Sequence, residues 1–251
     1  MKMKAGMAVI SGVSCILFLH LHAAAAPGRC ISGDCTNGTG SFVYPDGSSY
    51  VGQWKNGQPH GHGIFIYPDK REYTGYWEKG VWQGMGSYVY RDGSTYTGMW
   101  ARNKRHGKGS YISRDGYKYT GDWQDDMPHG EGSCVMPSGE TYSGQWKRGL
   151  RHGKGTCTYP DGSRYEGEWE KGRENGFGVC HLPDGERYRG EWKDGKRSGR
   201  GTCVFPDGKV YSGQWEDGRE NGDGTLITYP HGHEYSVKME KGEMKSMRRK
   251  Y

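Results

Sequence analysis

Residues 142–164 read YSGQWKRGLRHGKGTCTYPDGSR. In Tyr142-Ser143-Gly144-Gln145-Trp146, large or bare positions alternate with polar ones, which is the period of a strand with one aromatic face. Gly153, Gly155, Cys157 and Tyr159 alternate in the same way with Lys154, Thr156 and Thr158, giving a second strand. KRGLRH between them reads as a polar loop, and PDGSR after them carries turn chemistry at Pro-Asp-Gly. The segment is a β-hairpin with a connecting turn.

The same grammar repeats in both directions. Tyr recurs every 23 residues at Tyr50, Tyr73, Tyr96, Tyr119, Tyr142, Tyr165, Tyr188 and Tyr211, and Tyr235 follows after 24. Four places after each of the first eight stands Trp54, Trp77, Trp100, Trp123, Trp146, Trp169, Trp192 or Trp215. A fixed period of this size identifies a repeat array. Eight units fill residues 50–234, and GTGSFVYPDGSS at 38–49 matches the second half of the template. The organisation expected is a cleaved leader over 1–26, a cap with a half repeat over 27–49, the eight repeats, and a cap with a basic tail over 235–251.

Substitutions within the template follow what a backbone tolerates. The loop glycine (Gly57, Gly80, Gly149 and others) becomes Asn103 and Asp126, the residues that best accept positive φ after glycine. With antiparallel strands and one apolar face, the spacing suggests Trp146 opposite Gly153 within the hairpin and opposite Gly132 of the preceding unit. An aromatic ring would then cover bare backbone.

Composition supports a thin, aromatic architecture. Leu, Ile, Val and Phe together number 29 of 251 residues, whereas Gly numbers 45, Tyr 19 and Trp 9. Burial must therefore come from Tyr and Trp. The formal charge is +6, of which Lys2 and Lys4 belong to the leader and four lie in residues 235–251, so the body is neutral. Lys2 and Lys4, an apolar stretch to Leu19 and the small residues Ala23–Ala26 read as an export signal, placing the mature chain in a periplasmic or secreted setting.

Tyr-x-Gly-x-Trp, a polar loop with Gly, G-x-G and a closing Pro-Asp-Gly resemble the MORN (membrane occupation and recognition nexus) repeat; YEGEWEKGRENGFG at 165–178 is a close match. The resemblance implies an all-β fold, an elongated and twisted single layer of stacked hairpins, with an aromatic groove. With a strand spacing of about 4.8 Å, eight units should span on the order of 75 to 80 Å. Departures fall at Lys70, Arg91 and Arg114 in the turns, and at Val237 and Met239, where a ninth unit loses its Gly and Trp.

Each candidate site has a structural reading beside it. The sixteen Tyr and Trp residues named above form the candidate groove. Cys134, Cys157, Cys180 and Cys203 lie one unit apart, about 9.5 Å, too far for disulfides or shared zinc ligation, and read as small buried apolar groups. His60, His106, His129 and His152 share a position with Gln83, Asn175, Ser198 and Asn221, which indicates a polar contact near the loop and no metal. Cys30 and Cys35 precede the array and form the candidate disulfide, while Lys245, Arg248, Arg249 and Lys250 form the candidate anionic-surface contact. G-x-G sits inside a strand and fails the context of a dinucleotide motif. With only 40 residues outside full units once the expected leader is removed, 27–49 and 235–251, no room is expected for a catalytic domain. The reading is a non-catalytic, cofactor-free exported scaffold that meets a protein partner or a second copy of itself through the aromatic groove or an open sheet edge. Anionic membrane surface and glycan are the alternatives, and nucleic acid is not expected.

Overall fold

The computed structural model describes residues 28–250; the leader expected over 1–26, with Cys15, lies outside the described residues. The chain divides into two compact units between Pro137 and Ser138. The first contains β1 (Arg29–Gly33), β2 (Thr39–Val43), β3 (Ser49–Lys55), β4 (Gln58–Ile66), β5 (Glu72–Glu78), β6 (Val81–Val89), β7 (Thr95–Ala101), β8 (Lys104–Ile112), β9 (Lys118–Gln124) and β10 (Met127–Val135). The second contains β11 (Thr141–Lys147), β12 (Leu150–Thr158), β13 (Arg164–Glu170), β14 (Arg173–His181), β15 (Arg187–Lys193), β16 (Lys196–Val204), β17 (Val210–Glu216), β18 (Arg219–Thr228), β19 (His233–Glu240) and β20 (Glu243–Arg249). Within each unit every strand pairs antiparallel with the next. The described residues contain no helix. The array is an open sheet of hairpins, as the period implies.

Two local expectations are corrected. The loop expected over KRGLRH shrinks to Arg148–Gly149, because Lys147 pairs with Leu150 and β12 begins there. Both turn residues have positive φ, 51° and 80°, which matches a two-residue turn whose twist suits a hairpin. Asn103 and Asp126 occupy the second turn position at φ 64° and 70°, as their chemistry suggests. Within the hairpin, Trp146 faces Arg151 and not Gly153. The pairing slips between Gly144 and Trp146, where one residue on β11 spans three on β12, and Gly153 takes φ +56° in the resulting bulge. Across the next ladder the partner of Trp169 is Gly153, the first glycine of G-x-G, where the proposed register used the second. The error is two residues, so face assignments survive while neighbours change.

The ends also differ from expectation. Residues 243–249, read as a solvated basic tail, form β20 on β19. At the other end β1 is tied by the disulfide between Cys30 and Cys35, whose Cα atoms lie 6.1 Å apart.

In each unit the core is a row of rings on one face. Tyr165 is fully buried; its hydroxyl donates to the Glu168 carbonyl at 2.9 Å, and its ring lies over the paired glycines Gly167 and Gly178. Trp169 meets it edge-on at 5.2 Å, and Trp192 of the following unit does so at 5.1 Å. The indole N–H groups of Trp54, Trp77, Trp100, Trp123, Trp169, Trp192 and Trp215 donate to backbone, as where Trp169 Nε1 donates to Gly155 O at 3.2 Å and Trp192 Nε1 to Gly178 O at 3.3 Å. The phenol, not the indole, therefore covers the bare backbone.

Candidate functional site

The sixteen residues of the expected groove are where an aromatic surface would have to lie, and the structure seals them. The eight tyrosines are 0–2% exposed and the eight tryptophans 3–7%. These rings are core, so the expectation of a groove lined by their faces is corrected. The physical reason is the short reach between neighbouring strands. Trp77, Trp100, Trp123, Trp169, Trp192 and Trp215 each fill the space between their own Tyr and the Tyr of the preceding repeat.

Burial also sets the ionisation of this row. Desolvation raises the hydroxyls of Tyr50, Tyr73, Tyr96, Tyr119, Tyr165 and Tyr188 above the ordinary value of 10.0, and pushes those of Tyr44 and Tyr90 to about 12. A raised folded-state pKa gives stability that is fully present below pH about 10 and is lost as pH climbs through the folded-state values. We expect stability insensitive to tyrosine from neutral pH to about pH 10, then a steep alkaline unfolding in which tyrosinate absorbance and loss of strand signal coincide. Tyrosinate forming well before the strand signal changes would mean exposed rings.

Around the row, each unit carries one side chain of its own. Opposite the tryptophans stand Pro59, Trp82, Arg105, Pro128, Arg151, Glu174, Arg197 and Glu220, on the ring face. This position was missed in the sequence, although its signal was there: chemistry changes from unit to unit while the flanking template holds. Trp82 stacks on Tyr73 at 4.3 Å and 4°, and Arg105 lies 4.3 Å over the Trp123 ring. In the second unit the position alternates in charge. Arg151 pairs with Glu140 and Arg197 with Glu186, at side-chain exposures of 12–18%, and each guanidinium also reaches a thiol, Cys157 at 3.6 Å and Cys203 at 3.8 Å. Glu174 between them is 4% exposed and accepts from Tyr159 Oη. These are satisfied internal networks, and such buried pairs add little net stability against an apolar replacement.

The remaining candidates fall into place beside it. Cys134, Cys157, Cys180 and Cys203 are buried, and burial pushes the thiols of Cys157, Cys180 and Cys203 to about 12, 11 and 12, which keeps them protonated. The His60 position makes local polar contacts: Asn175 donates to Glu170 at 2.9 Å, and Gln83 Oε1 accepts from Arg102 N at 3.0 Å. Among the described residues no group of three or more His, Cys, Asp or Glu is placed to hold a metal. On β20 Lys245 pairs with Glu243 at 2.7 Å, and just after it Lys250 pairs with Glu234 at 2.5 Å, while Arg248 and Arg249 are exposed.

The opposite face is open. In the first unit, Val51, Ile64, Ile66, Met85, Val89, Met99 and Ile112 are 38–56% exposed and all point away from the rings. They form neighbouring cross-strand pairs, Val51 with Ile64 and Met85 with Met99. In the second unit the corresponding face is mixed, with Glu166, Glu168, Arg189 and Glu191 on β13 and β15 beside exposed Phe177, Val204 and Ile227.

An open antiparallel array of Tyr-x-Gly-x-Trp hairpins with a sealed ring face defines a structural repeat protein. The MORN repeat model matches residues 36–49, 50–70, 73–95, 96–116, 119–141, 142–164, 165–187, 188–210 and 211–229, and the chain belongs to the MORN repeat family. Among solved structures it is similar to the G-box domain of the microcephaly protein CPAP, at 11% identity, 76% of this chain, 99% of that chain and TM-score 0.46. It is also similar to the TCP domain of Drosophila melanogaster SAS-4 (dCPAP) in complex with a proline-rich motif of Ana2, at 14%, 68%, 94% and 0.41. The TCP10 domain of Danio rerio CPAP gives 12%, 82%, 97% and 0.44. No curated protein matches the chain.

Proposed function

We propose that this protein is a non-catalytic, exported scaffold that binds another protein through the outward apolar face of residues 28–137. The observation that carries this reading is the contrast between the two faces of that unit: the template Tyr and Trp rings are sealed, while Val, Ile and Met side chains are left in water in two groups, on β3–β4 and on β6–β7, with Glu72 and Thr74 of β5 between them. Exposed apolar surface on a sheet marks an interaction site, and it suits a partner that lays the apolar face of its own sheet on it about 10 Å away. The glycan alternative loses its support, because stacking on a sugar needs an indole face in water and the template indoles are 3–7% exposed. Membership of a family named for membrane recognition keeps lipid as the outcome to exclude.

The test compares in-cell crosslinking of the natural chain with an Ile64→Lys/Met85→Lys/Met99→Lys variant. These side chains are exposed, so folding should be unchanged. The proposal expects one crosslinked protein that disappears in the variant while strand content stays the same. Retention of the same crosslink in the variant, or association with protein-free vesicles through this face, overturns it.

A further inference from the structure

A second surface lies on β20, and its chemistry differs from that of the apolar face. Among the described residues β20 is paired with β19 alone. Lys250 N donates to Glu234 O at 2.9 Å, so the main-chain groups of residues 250 and 248 point toward β19. By the alternation of an antiparallel ladder, those of Met247 and Arg249 point away from it. All seven residues of β20 are exposed. A strand edge of this kind is a template for another strand.

The side chains decide which strand. Arg248 lies across from Ser236 and Arg249 across from Tyr235, so the two guanidinium groups stand on opposite faces of the sheet at the same edge. Lys245 and Lys250 are already held by Glu243 and Glu234, which leaves these arginines as the cations facing outward. Met247, 53% exposed, lies across from buried Val237 on the ring face. Pairing with a second β20 about Arg248 would set cation against cation, which is destabilising. Strand β1 is different: its pairing is bulged between Cys30 and Ser32, and its disulfide stiffens that end.

We infer that the free edge of β20 receives an extended acidic segment of another protein, added as an antiparallel strand. Consecutive acidic residues lie opposite Arg249 and Arg248, and an apolar residue next to them lies against Met247. Main-chain hydrogen bonds supply the affinity and the two arginines the choice of partner. The pairing uses β20 and none of the residues of the apolar face.

The probe is a capped synthetic peptide, Thr-Thr-Glu-Glu-Val-Thr-Val, titrated calorimetrically into the full chain, with the peptide carrying Lys-Lys in place of Glu-Glu as control. Saturable, salt-sensitive binding of the acidic peptide is expected, and little of the control. Met247→Pro removes an N–H that points away from β19 and leaves the charge unchanged; it should weaken binding roughly tenfold or more. Arg248→Glu/Arg249→Glu should invert the preference toward the Lys-Lys peptide. Absence of saturable binding, or binding untouched by Met247→Pro, overturns the inference. So does adsorption to anionic phosphatidylserine vesicles that Met247→Pro leaves intact while the acidic peptide fails to bind, since a lipid surface needs the charges and not the strand edge. The Ile64→Lys/Met85→Lys/Met99→Lys variant should bind the peptide normally, so failure of the apolar-face reading is separable from failure here.

Discussion

Tyr165→Ala should destabilise the second unit by about 4 kcal/mol in urea unfolding, the scale of removing a large buried aromatic. Three losses combine. The edge contacts with Trp169 and Trp192 go, the hydroxyl bond to Glu168 O goes, and the main chain at Gly167 and Gly178 loses its cover. Tyr165→Phe separates them: it keeps the ring and loses only the hydroxyl bond, at a cost of about 1 kcal/mol. Because repeats contact mainly their neighbours, the alanine variant should open units around β13 and β14 before the rest of the array. Equal effects of the two variants would show that the hydroxyl, not the ring, holds the hairpin.

Gly178→Ala is the second large effect, expected at about 3 kcal/mol, the upper end for forced overpacking. A methyl there would sit 2.4 Å from Tyr165 Oη and 2.5 Å from two ring carbons, and the ring is itself pinned between indoles. Gly185→Ala is the matched control. Its φ is +92° and nothing lies within 4 Å, so the cost is backbone strain alone, about 1 kcal/mol. Thermal or urea midpoints of the two variants should separate clearly. If the two fall together, the ring does not press on the glycine and the packing account fails.

How much of this was legible can be traced residue by residue. The 23-residue period, the strand faces and the half repeat before Tyr50 follow from alternation, because a strand has a period of two and the template never breaks it. Turn length did not follow, since Arg148 and Lys171 carry φ of 51° and nothing about a basic side chain announces a left-handed backbone. Once the turn closed in two residues, the bulge at Gly153 followed, and with it the two-residue slip in the partner of each Trp. Composition told that burial comes from Tyr and Trp, but not that the row leaves no face open. Alternation tells which side chains share a face, whereas solvent exclusion depends on Trp192 reaching back to Tyr165, a contact 27 positions apart in sequence. The chain segment from Glu243 looked like a tail because its charges hide the strand period, and Lys245 and Lys250 find their carboxylates only after β20 has docked. For the candidate site, the sixteen positions were found but their role changed from contact surface to core. The unit-specific row from Pro59 to Glu220 could have been found by asking which template position refuses to repeat.

Collisional quenching of tryptophan fluorescence by acrylamide in the folded chain bears most directly on the claim that the ring face is a sealed core. All nine indoles are buried, so emission should be blue-shifted and quenching slight until urea unfolds the sheet. Red-shifted emission with ready quenching of most indoles in the native state would contradict it and return the aromatic row to service as an open groove.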